Sequence, residues 1–290
     1  MSKVKIALCQ MMVKTSKTEN QAKALEMIAK AKQKAAQIVV LPEMFNCPLV
    51  HKYYKEFAEE IPGGETVRLL AEAARREKVF LVGGSIPERG EEDKIYNTAL
   101  IINDRGELVA KYRKLHLFDV RLKNGFQYHE SATMSAGDQI MVVDSPWGKI
   151  GVLVCYDLRF PELTRLMAMA GAKMIIAPAA FTKNTGVSHW EVLFRGRAVD
   201  NLLFVLGCSP ARDPNAPYVV YGHSIAVNPW GQVIGELGEE EGLLIVDAEL
   251  DEIKVARQSL PVWEHRREDV YNLADLKALE SLEVFQLPAE

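Results

Sequence analysis

The chain has 290 residues, of which 48% are hydrophobic and 26% are charged, and 39 acidic against 35 basic residues give a net charge of -4. This composition is typical of a globular protein with a substantial core, and it gives no reason to expect a nucleic acid or an anionic membrane as partner. The start MSKVKIALCQ lacks the hydrophobic region of a secretory signal, and no later run reaches membrane-spanning length. We therefore expect a cytoplasmic protein without a membrane partner.

The first half of the chain alternates strand and helix patterns. Ser16 and Glu19 have the spacing of a capping box, which predicts that a helix begins there. The apolar face of this helix is predicted at Ala22, Leu25, Ile28 and Ala29. A second helix is predicted over TVRLLAEAARREK, and the strands are KVKIALC, IVVL, VFLVGG, NTALIIN and ELVAKYRK.

The second half repeats roughly the same order. Helices are predicted over PELTRLMAMAG, with Pro161 in the first turn, and over SHWEVLFRGRAVDN. The strands are QIMVVDS, KIGVLVC, KMIIAP, LFVLGC, HSIAVN, QVIGEL and GLLIVDAEL. Because no proline-rich or low-complexity linker separates the halves, we expect one α/β domain with internal pseudo-symmetry. The pattern alone leaves open whether the strands form one sheet or two.

Four cysteines are spread along the chain without a C-x-x-C pair, at Cys9, Cys47, Cys155 and Cys208. Neither a disulfide framework nor a zinc site is expected from this spacing, and the six histidines are equally scattered. The sequence thus predicts free thiols and no metal or organic cofactor. It assigns no role to Cys9, Cys47 or Cys208.

Three polar residues follow predicted strands, and their chemistry is complementary. Glu43 comes after IVVLP, Lys114 ends ELVAKYRK, and Cys155 ends KIGVLVC. Ligands and catalytic groups gather at the carboxyl ends of strands in α/β folds. Each residue also has an ordinary interpretation: Cys155 as a small buried hydrophobe, Glu43 as a helix-start residue, and Lys114 as part of a solvated basic face.

The chemistry that these groups share is acyl transfer. A cysteine between a strand and a helix N-terminus, beside a cation such as Lys114, is predicted to have a lowered pKa and to act as a nucleophile. Glu43 is a candidate general base that later protonates a departing amine and activates water. Lys114 and the backbone N–H of Tyr156 are candidates to hold the developing oxyanion.

The segments LPEMF, YRKLHLF and VCYDLRFPE, in this order, resemble the signature segments of the nitrilase superfamily of carbon–nitrogen hydrolases. The resemblance covers roughly residues 4–272. It implies a four-layer αββα sandwich, a single domain over residues 1–272 with a C-terminal tail over 273–290, and a homodimer. It also implies Glu43 as base, Lys114 as oxyanion stabiliser and Cys155 as nucleophile. Glu130, in YHESATMSAGD, matches a further carboxylate that would orient Lys114; a glutamate in a polar loop is the alternative.

Within the superfamily, three segments are most similar to the omega-amidase branch: GVSHWEVLFRGRAVDN, CSPARDPNAPYVVYGHS and VNPWGQV. This resemblance implies the release of ammonia from short dicarboxylic monoamides, such as 2-oxoglutaramate and 2-oxosuccinamate, through a thioester. Arg159 is the candidate for the free carboxylate of the substrate, and Thr185 is a candidate hydroxyl contact. Arg159 could instead pair with Asp157 or Glu162.

The sequence leaves other activities open. They are a deaminated glutathione amidase, which shares CYDLRFPEL almost entirely, a carbamoyl hydrolase, a nitrilase, and a catalytically silent scaffold. The loop DVRLKNGFQYHES before Glu130 departs from the usual omega-amidase composition and borders the expected pocket. Substrate preference is therefore less determined than reaction type.

Overall fold

The computed structural model describes residues 2–123, 125–267, 269 and 282–285. Its helices are α1 (Lys17–Gln33), α2 (His51–Phe57), α3 (Glu65–Glu77), α4 (Pro161–Met169), α5 (Lys183–Asn201) and α6 (Asp251–Ser259). Its strands are β1 (Lys3–Gln10), β2 (Ile38–Val40), β3 (Phe80–Arg89), β4 (Ile95–Ile102), β5 (Leu108–Arg113), β6 (Asp119–Arg121), β7 (Gln127–His129), β8 (Ile140–Val143), β9 (Lys149–Val152), β10 (Ala172–Pro178), β11 (Phe204–Cys208), β12 (Ile225–Val227), β13 (Val233–Glu236), β14 (Gly242–Glu249) and β15 (Leu282–Phe285). Within the described ranges, none of the helices has both the length and the apolar character needed to cross a membrane.

The strands form two large sheets and one small hairpin. The six-stranded sheet has the order β14-β1-β2-β3-β4-β5, the seven-stranded sheet has the order β13-β12-β11-β10-β9-β8-β15, and β6 pairs with β7. In both large sheets three parallel strands are followed by two antiparallel ones, β1-β2-β3 then β4-β5, and β9-β10-β11 then β12-β13. The predicted internal pseudo-symmetry is therefore present.

Side-chain alternation along β1 shows how the layers stack. Ile6 and Leu8 point to the core shared with strands of the seven-stranded sheet, whereas Ala7 and Cys9 pack with residues of α1 and α3. Alternate residues of a strand face opposite sides of the sheet, so this sheet is covered by a second sheet on one side and by helices on the other. Helices α4 and α5 pack on the outer face of the seven-stranded sheet. The chain forms a four-layer αββα sandwich.

Helix α1 begins as predicted but buries a different face. The Ser16 side chain accepts the N–H of Glu19 at the N-terminus, whereas Ala22 is exposed and the buried apolar residues are Ala24, Met27, Ile28 and Ala31. Two polar residues, Asn20 and Gln21, are buried on the same side because their amides bond to Lys14 and Thr66. The apolar pattern predicted the wrong buried face of α1. It considers only apolar residues, whereas Asn20 and Gln21 are polar and are buried because their side chains form hydrogen bonds.

Several features of the chain path, among them the small hairpin of β6 and β7, were not predicted. Helices α2 and α6 have no counterpart in the predicted order, and β14 crosses back to the six-stranded sheet, where it pairs antiparallel with β1 along its whole length. The predicted domain boundary at residue 272 lies outside the described residues, so the separate tail over 273–290 stays a prediction. In the same range the backbone of β15 pairs in parallel with β8.

Candidate active site

The three candidate residues lie where strands end, at one edge of the space between the sheets. Glu43 follows β2, Lys114 directly follows β5, and Cys155 comes three residues after the end of β9. The Lys114 ammonium lies 3.1 Å from Glu43 Oε1, and the charge of Lys114 acts on the Cys155 thiol. The structure thus brings together the residues predicted from both halves of the chain.

Lys114 lies buried between two carboxylates. Its Nζ is 3.1 Å from Glu43 Oε1 and 2.8 Å from Glu130 Oε2, and the three side chains are only 2%, 3% and 6% exposed. Burial lowers the pKa of Lys114, but the charges of Glu130 and Glu43 outweigh it and hold that pKa well above its usual value. Lys114 therefore stays charged at neutral pH, and its interpretation as a solvated basic residue is wrong.

Backbone and amide donors fix the two carboxylates. The Ala180 N–H donates to Glu43 Oε2 at 2.7 Å, and the Phe118 N–H donates to Glu130 Oε2 at 2.7 Å. Asn97 donates its Nδ2 to both, at 2.9 Å to Glu43 and 3.3 Å to Glu130. Asn97 was not predicted, although it is a polar residue at the start of the apolar run NTALIIN. It helps to hold Glu43 and Glu130 in their positions around Lys114.

Cys155 occupies a strained position at the start of a short helical turn. The turn is a five-residue 3₁₀ helix, Cys155–Arg159, and the φ angle of Cys155 is +51°, in the left-handed region. A residue other than glycine rarely adopts this conformation, and such strain clusters at functional sites. Tyr156 is the second residue of the turn, where a backbone N–H has no partner within the turn.

The pKa of the Cys155 thiol is raised, contrary to the prediction from the sequence. Burial is the largest cause, the charge of Glu43 and a hydrogen bond with it act in the same direction, and the opposing effect of Lys114 is smaller. The prediction failed because the helical turn is short and the thiol is only 5% exposed. The resting thiol keeps its proton, with Glu43 placed to receive it.

Asp157 ties the cysteine turn to the end of β5. This fully buried carboxylate accepts hydrogen bonds from the Val154 N–H at 3.1 Å, from the Tyr112 hydroxyl at 2.7 Å and from the His116 N–H at 2.9 Å, and the His116 ring lies 2.8 Å away. Its oxygens are therefore occupied. The turn that carries Cys155 is thereby fixed relative to the strand that leads to Lys114.

Arg159 lies in the same turn and has no carboxylate partner in the part of the chain that the structure describes. Its Nη1 is 2.9 Å from His189 Nδ1, and its guanidinium carbon lies 4.7 Å from the centre of the Phe181 ring. The alternative of an ion pair with Asp157 or Glu162 is not realised. Burial lowers the pKa of the Arg159 guanidinium.

Thr185 lies in the first turn of α5. Its side chain is buried, and its Oγ1 donates to the Thr182 carbonyl at 3.4 Å and lies 3.2 Å from Thr182 Oγ1. The Thr185 hydroxyl is thus bonded to the N-cap residue Thr182, whose own side chain accepts the Thr185 N–H.

Aromatic side chains and a small cavity surround the charged groups. The Phe118 ring is tilted against the Tyr128 ring and meets the Tyr156 ring edge-on. The Tyr128 ring in turn meets the Tyr218 ring edge-on. A cavity of about 60 Å³ lies beside Glu43, between Leu49 and Tyr218. A cavity of this kind needs about 10–15 Å³ to hold one water, so this cavity has room for water next to the carboxylate. Among the described residues, no three or more His, Cys, Asp or Glu side chains are grouped as metal ligands.

Comparisons of the sequence and of the structure with known proteins point to the same family. A family model described as carbon-nitrogen hydrolase matches residues 5–258. Omega-amidase NIT2 from Xenopus tropicalis is 43% identical over 277 residues, which cover 96% of this chain and 100% of that protein. The crystal structure of Saccharomyces cerevisiae Nit3, a member of branch 10 of the nitrilase superfamily, is 40% identical with a TM-score of 0.85, covering 92% of this chain and 97% of that one.

A third relative carries a modified active site. It is a glutamate-to-glutamine mutant of the amidase from Nesterenkonia sp. AN1, 28% identical with a TM-score of 0.77, covering 92% of this chain and 95% of that one. In that structure the acetamide moiety of fluoroacetamide is covalently attached to the active-site cysteine. The fold predicted from the sequence resemblance is confirmed by these structures.

Proposed function

The chain belongs to the carbon-nitrogen hydrolase family of the nitrilase superfamily and is an enzyme that acts on amides, and we propose that its substrates are short dicarboxylic monoamides. Such an omega-amidase releases ammonia from the terminal amide of compounds such as 2-oxoglutaramate and 2-oxosuccinamate. The observation that carries the reaction type is the buried Lys114, held between Glu43 and Glu130 beside the Cys155 thiol.

Cys155 is the proposed nucleophile and Glu43 the base that activates it. Because burial and the charge of Glu43 keep the thiol protonated at rest, the proton passes to Glu43 as sulfur attacks the amide carbon. The tetrahedral intermediate then collapses to a thioester, and Glu43 delivers that proton to the departing ammonia. Water, deprotonated by Glu43, hydrolyses the thioester and returns the thiol and the dicarboxylate product.

Lys114 and the Tyr156 N–H are the proposed oxyanion donors. An ammonium has three N–H groups, and Glu43 takes one while the two oxygens of Glu130, at 2.8 and 3.1 Å, can share a second. The third is then available to the carbonyl oxygen of the substrate, and donors fixed in advance stabilise the charge that develops there. Glu130 acts in this scheme by orienting Lys114.

Arg159 is the proposed partner of the substrate's free carboxylate. A guanidinium can pair with a carboxylate through two parallel hydrogen bonds, and no side chain of the described residues forms an ion pair with Arg159. Thr185 is a proposed second contact, since its long bond to the Thr182 carbonyl can be replaced by a substrate oxygen. No metal or organic cofactor takes part in the proposed reaction.

We further propose a homodimer in the cytoplasm. The outer face of α5 exposes Val187, Val192 and Val199, which are 67%, 60% and 50% exposed, and Trp230 is also exposed. Apolar side chains grouped on one helix face are typical of a surface that another chain covers. The cytoplasmic location rests on the sequence alone.

A panel of substrates tests the proposed function. Ammonia release is measured with 2-oxoglutaramate, glutamine, deaminated glutathione, a ureido compound and a nitrile, using the wild-type chain and Cys155→Ala. We expect 2-oxoglutaramate to give the highest kcat/KM and the variant to release no ammonia while keeping its fold. Preference for deaminated glutathione, the ureido compound or the nitrile would reassign the substrate. Turnover by the variant would refute the role of Cys155.

A further inference from the structure

His189 contacts Arg159 although neither the sequence motifs nor the proposed reaction gives it a role. It is an exposed residue of α5, and its Nδ1 lies 2.9 Å from Arg159 Nη1. A guanidinium can only donate hydrogen bonds, so His189 Nδ1 must be the acceptor and its ring must be neutral, with hydrogen on Nε2. Partial burial and the nearby charge of Arg159 both lower the pKa of His189, which agrees with a neutral ring.

The guanidinium of Arg159 is supported on two sides. The face of Phe181 lies 4.7 Å from its central carbon, and the His189 ring holds one terminal nitrogen. The backbone is held as well, because Arg197 Nη2 donates to the Arg159 carbonyl at 3.1 Å. With Nη1 engaged by His189, the edge formed by Nε and Nη2 stays available for a carboxylate, which needs two parallel donors.

We propose that His189 is a positioning residue for substrate recognition, which orients the free edge of Arg159 toward the far carboxylate of a dicarboxylic monoamide. The inference rests on the proposed role of Arg159 in substrate binding. In this proposal His189, which lies outside LPEMF, YRKLHLF and VCYDLRFPE, determines the preference for charged over neutral amides.

Steady-state kinetics with two substrates tests the inference. The substrates are 2-oxoglutaramate and pentanamide, a neutral amide of equal chain length, and the variants are His189→Leu, His189→Asn, Arg159→Met and the double variant His189→Leu/Arg159→Met. Ser188→Ala is the matched control, because Ser188 is also exposed and precedes His189 in α5.

We expect His189→Leu to raise KM for 2-oxoglutaramate about 10-fold with little change in kcat, since it removes an acceptor from a charged donor. KM for pentanamide should not change. Asparagine can accept at nearly the position of Nδ1, so His189→Asn should restore most of the affinity. Arg159→Met should raise KM for 2-oxoglutaramate about 100-fold or more, and adding His189→Leu to it should have no further effect. Ser188→Ala should match the wild type.

The outcomes separate this inference from the proposed function. If Arg159→Met removes the preference for the charged amide but His189→Leu does not, the role of His189 is refuted and that of Arg159 stands. Equal changes in KM for both substrates in His189→Leu would show a merely structural role. If Arg159→Met leaves the preference unchanged, both assignments fail.

Discussion

Replacing Glu43 with glutamine should stop amide turnover while making Cys155 more reactive toward a neutral alkylating agent. The side chain keeps its volume but loses its charge and its basicity. General acid–base catalysis contributes about 10²–10⁴-fold, so kcat should fall by at least that factor. The charge of Glu43 and its hydrogen bond both raise the pKa of Cys155. Without them the thiol should ionise at lower pH, and Lys114 then favours the thiolate.

The structure also predicts the cost of Glu43→Gln to stability. Glu43 accepts from Lys114 and Asn97 through Oε1 and from the Ala180 N–H through Oε2. A glutamine has only one oxygen. If this oxygen accepts from Lys114 and Asn97, the amide nitrogen faces the Ala180 N–H. Two donors then face each other, and one buried hydrogen bond is lost. Such a loss costs about 1–3 kcal/mol, which leaves a domain of ordinary stability folded.

The assay is the rate of alkylation by iodoacetamide as a function of pH, followed by mass spectrometry of the Cys155 peptide. Cys9, Cys47 and Cys208 are internal controls, because burial raises the pKa of each and they should not react. Glu130→Gln is the matched variant, since it removes the same charge from the other side of Lys114. An unchanged pH profile for Cys155 in Glu43→Gln, or amide turnover within about tenfold of wild type, would refute the reasoning.

Three further predictions concern the fold and the assembly. Asp157→Asn should lower the free energy of unfolding in urea by about 1–3 kcal/mol, because an amide cannot accept from all the donors around this buried group. An unchanged midpoint of urea unfolding would contradict this prediction. Val192→Glu should shift the protein from dimer to monomer in sedimentation equilibrium, and an unchanged mass would exclude this face of α5 as the interface. Burial raises the pKa of Glu88, but Arg113 and Lys111 outweigh it and leave that pKa below its ordinary value of 4.5. Glu88 therefore stabilises the fold above that pH, and the stability gap between Glu88→Gln and wild type should close as pH falls below 4.5; a constant gap would refute the assignment.

The sequence predicted which candidate groups lie together better than it predicted their environment. Glu43, Lys114 and Cys155 became candidates because each follows a predicted strand, and strand ends in an α/β fold converge. Their roles came from the resemblance of LPEMF, YRKLHLF and VCYDLRFPE to the signature segments of the superfamily. The contacts of Asn97 could not be found in this way, because they depend on the pairing of β4 with β5. His189 was missed for a related reason, since nothing in the local pattern of α5 indicates that it faces a residue thirty positions earlier.

Long-range pairing also limited the prediction of the fold. The order of strands and helices and the internal pseudo-symmetry followed from local patterns, because these report which residues face a core. The return of β14 to the six-stranded sheet is set by its pairing with β1, more than 200 residues away in the chain. Local patterns carry no information about such a partner.

Burial reverses the direction of the pKa shift that the sequence motif predicted for Cys155. Its position before a helical turn and beside a lysine suggested a thiolate at rest, yet the site that brings these groups together also excludes water from the thiol and places Glu43 against it. The same burial strengthens the attraction between Lys114 and its two carboxylates. Lys114 therefore forms ion pairs with Glu43 and Glu130 before substrate binds, and the Cys155 thiol stays protonated. In the proposed reaction the nucleophile therefore forms during attack, when charge moves from sulfur to the carbonyl oxygen and Glu43 takes the proton.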